Sequence, residues 1–166
     1  MSTAVRTVSL LGATLATGLA AGVFDQYAHA IMPGLRQTDD RTFVGAFQAI
    51  DRAIINVWWL GGMFFGALVL TVVAAVAHRG EQALPWILAA LAAYLVTVAI
   101  TLAVNVPLND AIKAAGDPDR IGDLAAVRAR FDEGRWAAWN LVRVITSTGA
   151  FAALAWALVL HGRSAT

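Results

Sequence analysis

The stretch Trp136-Ala-Ala-Trp139-Asn140-Leu-Val-Arg143 places an amide and a guanidinium at the start of the last long apolar segment of the chain. Positions 136, 139, 140 and 143 are separated by helical spacings, so their side chains share one helix face. An arginine one or two turns inside a membrane-spanning helix is costly unless it faces the bundle interior and finds a partner. The stretch therefore predicts a helix bundle with a polar site just below one end.

The composition indicates a membrane protein. Of the 166 residues, 59% are hydrophobic and only 14% are charged, whereas a soluble domain carries about a quarter charged residues. Four runs without Asp, Glu, Lys or Arg come close to or exceed the roughly 20 residues that a span requires. We predict an all-α, integral membrane, antiparallel four-helix bundle that forms a single transmembrane domain over residues 1–166. The predicted spans cover residues 5–30, 53–77, 84–107 and 136–160.

Two segments between the spans are too polar to cross a membrane. Residues 38–52 and 111–135 each carry apolar side chains at helical spacing. We therefore expect two short interfacial amphipathic helices over the same end of the bundle. Thr38 or Asp39 can cap the first of them, and Gly116-Asp-Pro-Asp119 predicts a turn and the start of the second. Met32-Pro33-Gly34 should end the first span, because proline lacks a backbone donor.

The composition also bounds the partners and the location. A net charge of +1 excludes nucleic acid as a partner, which leaves the lipid bilayer and a hydrophobic small molecule. The Gly18-x-x-x-Gly22 pair is compatible with a homo-oligomer. We read the N-terminal apolar run as a retained span of a multi-pass protein of the bacterial cytoplasmic membrane. The two longer loops carry eight of the twelve Lys and Arg residues, so the positive-inside rule favours a cytoplasmic position for them.

Polar residues inside the apolar segments are the candidates for a site. Asp25 and His29 lie four residues apart and can form a general base, with Tyr27 as a neighbour. They can equally form an interfacial pair, or Asp25 can be the counter-ion of Arg143. Arg143 is either an oxyanion binder in a dry site or a structural arginine.

Amides and histidines leave further alternatives open. Asn105, Asn109 and Asn140 can orient a ligand or act as hydrogen-bonded contacts between helices. His78 and His161 should lie at the opposite membrane face from His29, which excludes a site of three histidines. A haem or metal at His29 is the alternative to a site without a cofactor.

With these residues identified, the chain resembles the anthrone oxygenase-like family of small four-helix membrane proteins. The matching segments are Gly22 with Ile31-Met32-Pro33-Gly34-Leu35, Phe47-Gln48-Ala-Ile50-Asp51 leading to Asn56, Asn105-Val-Pro107-Leu-Asn109, and Trp136-x-x-Trp139-Asn140-x-x-Arg143. Asp51 stands where the family usually has Asn, and Asp25 and His29 stand where relatives are commonly apolar or neutral. Catalysis common to the family would then not depend on the Asp25–His29 pair.

The resemblance implies a membrane-embedded oxygenase-like enzyme, a monooxygenase acting on a hydrophobic aromatic or polyketide-type, anthrone-like substrate. Molecular oxygen would be the co-substrate and no cofactor would be needed. The residues expected to take part in catalysis are His29, Asp25 and Arg143. Those expected to bind substrate are Tyr27, Gln48, Asn56, Asn105, Asn109, Trp139 and Asn140. The alternative is a non-enzymatic lipid- or quinone-binding protein or accessory membrane subunit, in which the buried polar cluster is structural.

Overall fold

The computed structural model describes residues 2–164, which form helices and no strands. Four helices are long and apolar enough to cross a membrane, and the first three are Thr3–Arg36 (α1), Trp58–Ala77 (α3) and Leu84–Ala114 (α4). The fourth is Glu133–Ser164 (α6), and the shorter helices are Asp40–Ile54 (α2) and Leu124–Phe131 (α5). The predicted all-α, four-helix membrane bundle is confirmed.

The four long helices are antiparallel. At the end where α1 begins, Arg6 Nε donates to the Ala77 carbonyl at 2.9 Å and Thr7 Oγ1 lies 2.9 Å from His161 Nε2. At the other end, Asn140 Nδ2 donates to the Phe24 carbonyl at 3.0 Å. The start of α1 therefore meets the ends of α3 and α6, and its later turns meet the start of α6.

The close approach of α1 and α6 depends on a glycine. A Cβ atom added at Gly18 would lie 2.9 Å from the Phe151 ring. Gly18 is thus a packing position between α1 and α6, whereas a Cβ at Gly22 would meet nothing within 4 Å.

The prolines do not end their helices. α1 continues past Pro33 to Arg36, and α4 continues past Pro107 to Ala114, so the prediction that Met32-Pro33-Gly34 ends the first helix was wrong. In both helices a π-helical turn precedes the proline, at Tyr27–Ile31 and at Thr101–Asn105. A wider turn relieves the clash between the proline ring and the carbonyl of the preceding turn, which explains why the helix can go on.

A second apolar core lies under the two short helices at the end where α6 begins. Asp39 caps α2, because its Oδ1 accepts from Thr42 N at 2.8 Å. Phe43 and Phe47 are buried, and the Phe47 ring lies 4.5 Å from that of Phe131 in α5. The predicted amphipathic helix over residues 38–52 is confirmed as a cover for this end of the bundle.

The second short helix differs from the prediction. It begins at Leu124, where Asp123 Oδ1 accepts from Ala126 N at 2.9 Å, and not near Gly116-Asp-Pro-Asp119. Gly116 has a φ of 88° and ends α4, so the segment that follows is a series of turns. Asp132, with a φ of 52°, separates α5 from α6.

Candidate active site

A cavity of about 200 Å³ lies beneath α2, among α1, α3, α4 and α6. Its walls are mostly aliphatic and aromatic, as in most ligand sites. The polar lining residues are Tyr27, Asp51, Thr101, Asn109, Asp110, Lys113 and Arg143. The polar residues that interrupt the apolar segments thus lie at one end of the bundle, as predicted.

Arg143 is a buried cation at the wall of this cavity. Its side chain is only 5% exposed. Nη2 donates to Asn140 Oδ1 at 2.8 Å and Nη1 to Thr101 Oγ1 at 3.4 Å, while Nε has no hydrogen-bond partner. Within residues 2–164 it forms no ion pair with a carboxylate. A guanidinium carries five N–H donors, so the protein leaves hydrogen-bonding capacity and a positive charge available at the cavity.

Two aromatic rings hold the guanidinium in place. Its carbon lies 4.6 Å from the centre of the Phe24 ring and 5.3 Å from the Trp136 ring. Such contacts stabilise a desolvated cation by about 2 kcal/mol or more without neutralising its charge. Trp136 is itself fixed, because its Nε1 donates to Asn109 Oδ1 at 2.7 Å.

A second polar group forms the upper wall of the cavity. Asn109 Nδ2 donates to Asp51 Oδ1 at 2.6 Å, and Lys113 Nζ lies 2.7 Å from Asp51 Oδ2. Asp110 follows Asn109 in α4, and its Oδ1 lies 3.0 Å from the same Lys113 ammonium group. The last turn of α2 is therefore joined to α4, and a network from Lys113 to Trp136 leads towards Arg143.

The lower wall depends on the way in which α3 begins. Asn56 Oδ1 accepts from Trp59 N at 2.9 Å and starts a π-helical turn over Trp58–Phe64. A Cβ at Gly66 would lie 2.6 Å from the Gly61 carbonyl oxygen, so the wide turn requires glycine there. Tyr94 Oη donates to the Phe64 carbonyl at 3.0 Å. Asn56 thus shapes the cavity through the backbone and does not line it.

His29 and Asp25 lie elsewhere. They pair as predicted, with His29 Nδ1 2.8 Å from Asp25 Oδ1, but their side chains are 72% and 51% exposed and neither lines the cavity. Trp139 is also exposed and outside the cavity. Positions 136, 140 and 143 form the buried face of α6, and Trp139 lies beside this face. The roles predicted for Asp25, His29 and Trp139 remain predictions.

The buried amides mainly join helices. Gln48 Nε2 donates to the carbonyls of Ile112 and Gly116 at 2.8 and 3.0 Å. Asn105 Nδ2 donates to the Trp136 carbonyl at 3.3 Å, and its Oδ1 has no partner. Of the predicted substrate-binding residues, Tyr27 and Asn109 line the cavity, while Asn140 accepts a hydrogen bond from the Arg143 guanidinium.

The cavity contains residues that the sequence did not indicate as site residues, namely Phe24, Asp51, Trp59, Thr101, Lys113 and Trp136. One signal was present, because Lys113 follows Asn109 by four residues and so shares its helix face. Asp51 was noted in the sequence only as a departure from the Asn usual in the family, since its partners come from a helix some 60 residues away.

The histidines lie at two ends of the bundle. His78 and His161 lie at the end opposite His29, as predicted, and Nε2 of His78 is 3.3 Å from Nδ1 of His161. Across the described residues 2–164, no group of three or more His, Asp or Glu side chains is arranged to hold a metal ion.

Residues 56–153 match the family described as anthrone oxygenase. The chain belongs to this family. The match covers α3, α4 and most of α6, so this anthrone oxygenase family domain includes Thr101, Asn109 and Arg143. Tyr27 and Asp51 lie outside the matched residues. No curated protein and no solved structure matches the chain.

Proposed function

We propose that this family member is a membrane-embedded oxygenase that converts a planar aromatic ketone of the anthrone type into the corresponding quinone. The observation that carries the proposal is Arg143, a buried cation at the cavity wall with no carboxylate partner in the described chain. A structural arginine in a membrane bundle is normally paired. An unneutralised one is suited to a negative charge that develops during a reaction.

The chemistry of an anthrone requires such a charge. Loss of a proton from the methylene carbon opposite the carbonyl gives an anion whose charge is delocalised onto the carbonyl oxygen. This electron-rich anion is oxidised by O2 and forms a carbon–oxygen bond with it, and the proton removed from the carbon returns to the peroxide oxygen. Loss of water from this hydroperoxide leaves the quinone, so that one anthrone and one O2 give one quinone and one H2O. The Arg143 guanidinium would bind the oxygen anion, and molecular oxygen is the only co-substrate required.

Asp51 would accept the proton in this chain, which has a carboxylate where the family usually has Asn, so this role would be specific to this family member. It is a carboxylate that lines the cavity and is only 5% exposed, whereas the exposed His29–Asp25 pair lies outside. Lys113 and Asn109 hold the carboxylate in a fixed orientation, which is the usual requirement for a positioned general base. Asp51→Asn should therefore lower turnover by about 10²–10⁴-fold.

Flat aromatic side chains would position the substrate. Trp59 and Phe64 line the cavity with their rings 6.1 Å apart and close to parallel, and Trp136 forms another wall. Stacking on such rings favours a planar apolar molecule. Tyr27 and Asn109 supply the polar groups that would fix its orientation.

The test is oxygen uptake by the purified protein in mild detergent with an anthrone as substrate. We expect one O2 consumed for each quinone formed. Asp51→Asn should lose turnover, and Asp119→Asn is the control, because the Asp119 side chain is 65% exposed and lies outside the cavity. Equal rates in the two variants would remove Asp51 from the mechanism. A haem absorption band or a stoichiometric transition metal in the purified protein would overturn the cofactor-free chemistry.

A non-enzymatic lipid- or quinone-binding role is the second candidate, and the buried amides favour it. Gln48, Asn105 and Asn140 each donate to a backbone carbonyl of another helix, as purely structural amides do. In that case the wild-type protein would bind an anthrone or a quinone, measured by quenching of tryptophan fluorescence, without consuming oxygen.

A further inference from the structure

We infer that the cavity takes its ligand directly from the hydrocarbon phase of the bilayer, through a lateral opening between α3 and α4. The ligand class is therefore an uncharged, membrane-dissolved aromatic molecule. This inference rests on the proposed function for the identity of the reaction, but the path itself depends only on the shape and chemistry of the cavity.

The lateral opening is defined by four residues. Ile55, in the link from α2 to α3, and Phe65 of α3 form one side, and Leu102 and Val106 of α4 form the other. All four line the cavity and are exposed on the outer surface. Their side chains are all apolar, so the rim can face lipid tails at no cost, whereas a path for a polar ligand would be lined with polar groups.

Three other directions are filled by packed side chains, and the remaining edge carries the charged Asp110 and Lys113. Above the cavity, the buried rings of Phe47 and Phe131 pack with Trp136. Below it, Phe64 is buried and bonded through its carbonyl to Tyr94. Towards α1 and α6, Arg143 is packed on Phe24. An approach from the water phase would have to displace these rings or pass the charged Asp110–Lys113 pair, so an uncharged apolar molecule is left with the apolar side between α3 and α4.

The lateral opening follows from the backbone geometry of the two helices that border it. Both helices that border it are π-helical at this level, over Trp58–Phe64 and over Thr101–Asn105. The chain also breaks helical geometry at Ile55, where ψ is 79°. Wide turns and a broken helix prevent α3 and α4 from packing side by side here, although they pack in the other half of the membrane. Such π turns are frequent at functional sites.

The polar groups of the cavity fit an aromatic molecule with one oxygen. Asp110 and Lys113 border the cavity near the interface, and Thr101 and Arg143 lie deeper. An uncharged ketone would leave the lipid through the apolar rim and meet the guanidinium only inside. A molecule that is already ionised in water would have to lose its hydration before it could reach the rim.

The experiment uses the absence of cysteine from the chain. Thr101→Cys introduces a single thiol at the cavity wall, where the neighbouring Arg143 favours the reactive thiolate. The protein is placed in phosphatidylcholine vesicles, and the rate of labelling by N-phenylmaleimide, which is uncharged and dissolves in lipid, is measured. A quaternary ammonium methanethiosulfonate, applied to both sides, reports access from water.

Leu102→Trp should narrow the opening, since Leu102 is 53% exposed at the rim. We expect N-phenylmaleimide labelling to slow by about tenfold, the effect of a barrier of roughly 1.4 kcal/mol. Ile145→Trp, at a site that is 63% exposed on α6 and outside the cavity, is the matched control and should leave the rate unchanged. Leu102→Ala should raise the rate, which gives a second test if the tryptophan variant fails to fold.

Equal labelling rates in Leu102→Trp and Ile145→Trp, or faster labelling by the charged reagent than by the apolar one, would overturn the inference. Because labelling needs no turnover, it separates the two proposals. Slowed labelling in a protein that consumes no oxygen would support the lateral opening and reject the oxygenase. Oxygen uptake by the wild-type protein, with unchanged labelling and unchanged kcat/KM in Leu102→Trp, would support the oxygenase and reject the lateral opening.

Discussion

Replacement of Arg143 by methionine separates a catalytic arginine from a structural one. Methionine keeps an unbranched side chain in the cavity wall and removes the charge. The variant loses two hydrogen bonds from a charged donor, to Asn140 and Thr101, each contributing about 1.5–3 kcal/mol. It also loses the contact with the Phe24 and Trp136 rings, a contribution of about 2 kcal/mol.

The loss is offset because the charge no longer has to be buried. Desolvation of an ion costs several kcal/mol, and Arg143 has no carboxylate within the described residues to compensate it. The gain and the loss are of the same order, so we expect Arg143→Met to fold.

Turnover should respond differently. Removal of one donor from an oxyanion site lowers kcat by about 10²–10³-fold, or 2.7–4 kcal/mol, and loss of a full charge should cost at least as much. The assay is oxygen uptake with an anthrone, expressed per folded protein, together with thermal unfolding followed by circular dichroism. Arg143→Lys, which keeps the charge without the planar fork, should retain part of the activity.

The matched control is Arg6→Met at the opposite end of the bundle. Arg6 contacts Glu81 at 2.5 Å and the Ala77 carbonyl at 2.9 Å, far from the cavity. It should lose some stability and keep full turnover per folded molecule. The reasoning is refuted if Arg143→Met keeps wild-type kcat, or if it unfolds while its remaining folded fraction is fully active.

Further predictions concern the wide turn of α3 and the opposite end of the bundle. Gly66→Ala should destabilise the protein by about 1–3 kcal/mol in a thermal melt, because the new Cβ would meet the Gly61 carbonyl oxygen at 2.6 Å. Gly149→Ala, where nothing lies within 4 Å, should be neutral or stabilising by up to about 1 kcal/mol; equal melting shifts would contradict the packing argument. Burial lowers the pKa of His78 below its ordinary value of 6.5. The unfolded chain then binds the proton more tightly, so stability is full above pH 6.5 and decreases as the pH falls through the lower folded pKa. Melting temperatures at about pH 8 and pH 5 should show this decrease, and His78→Gln should reduce it.

The sequence by itself determined the class of fold and the end of the bundle at which the site lies. Four long apolar runs leave few alternatives to four membrane helices, because an unpaired backbone cannot exist in hydrocarbon. The helical spacing of Trp136, Asn140 and Arg143 placed them on one buried face. The amphipathic pattern over residues 38–52 predicted the cover over that end.

Tertiary structure alone decided which polar residues meet. Asp25 and His29 have a spacing as suggestive as that of any pair in the site, yet their face of α1 turns outward. Asp51 has no local pattern, and its role follows from contacts with Asn109 and Lys113 of a distant helix. Spacing within one helix fixes which side chains share a face. Which face turns inward is settled by the packing of all the helices together, and the helix ends here were settled by π turns that no propensity predicts.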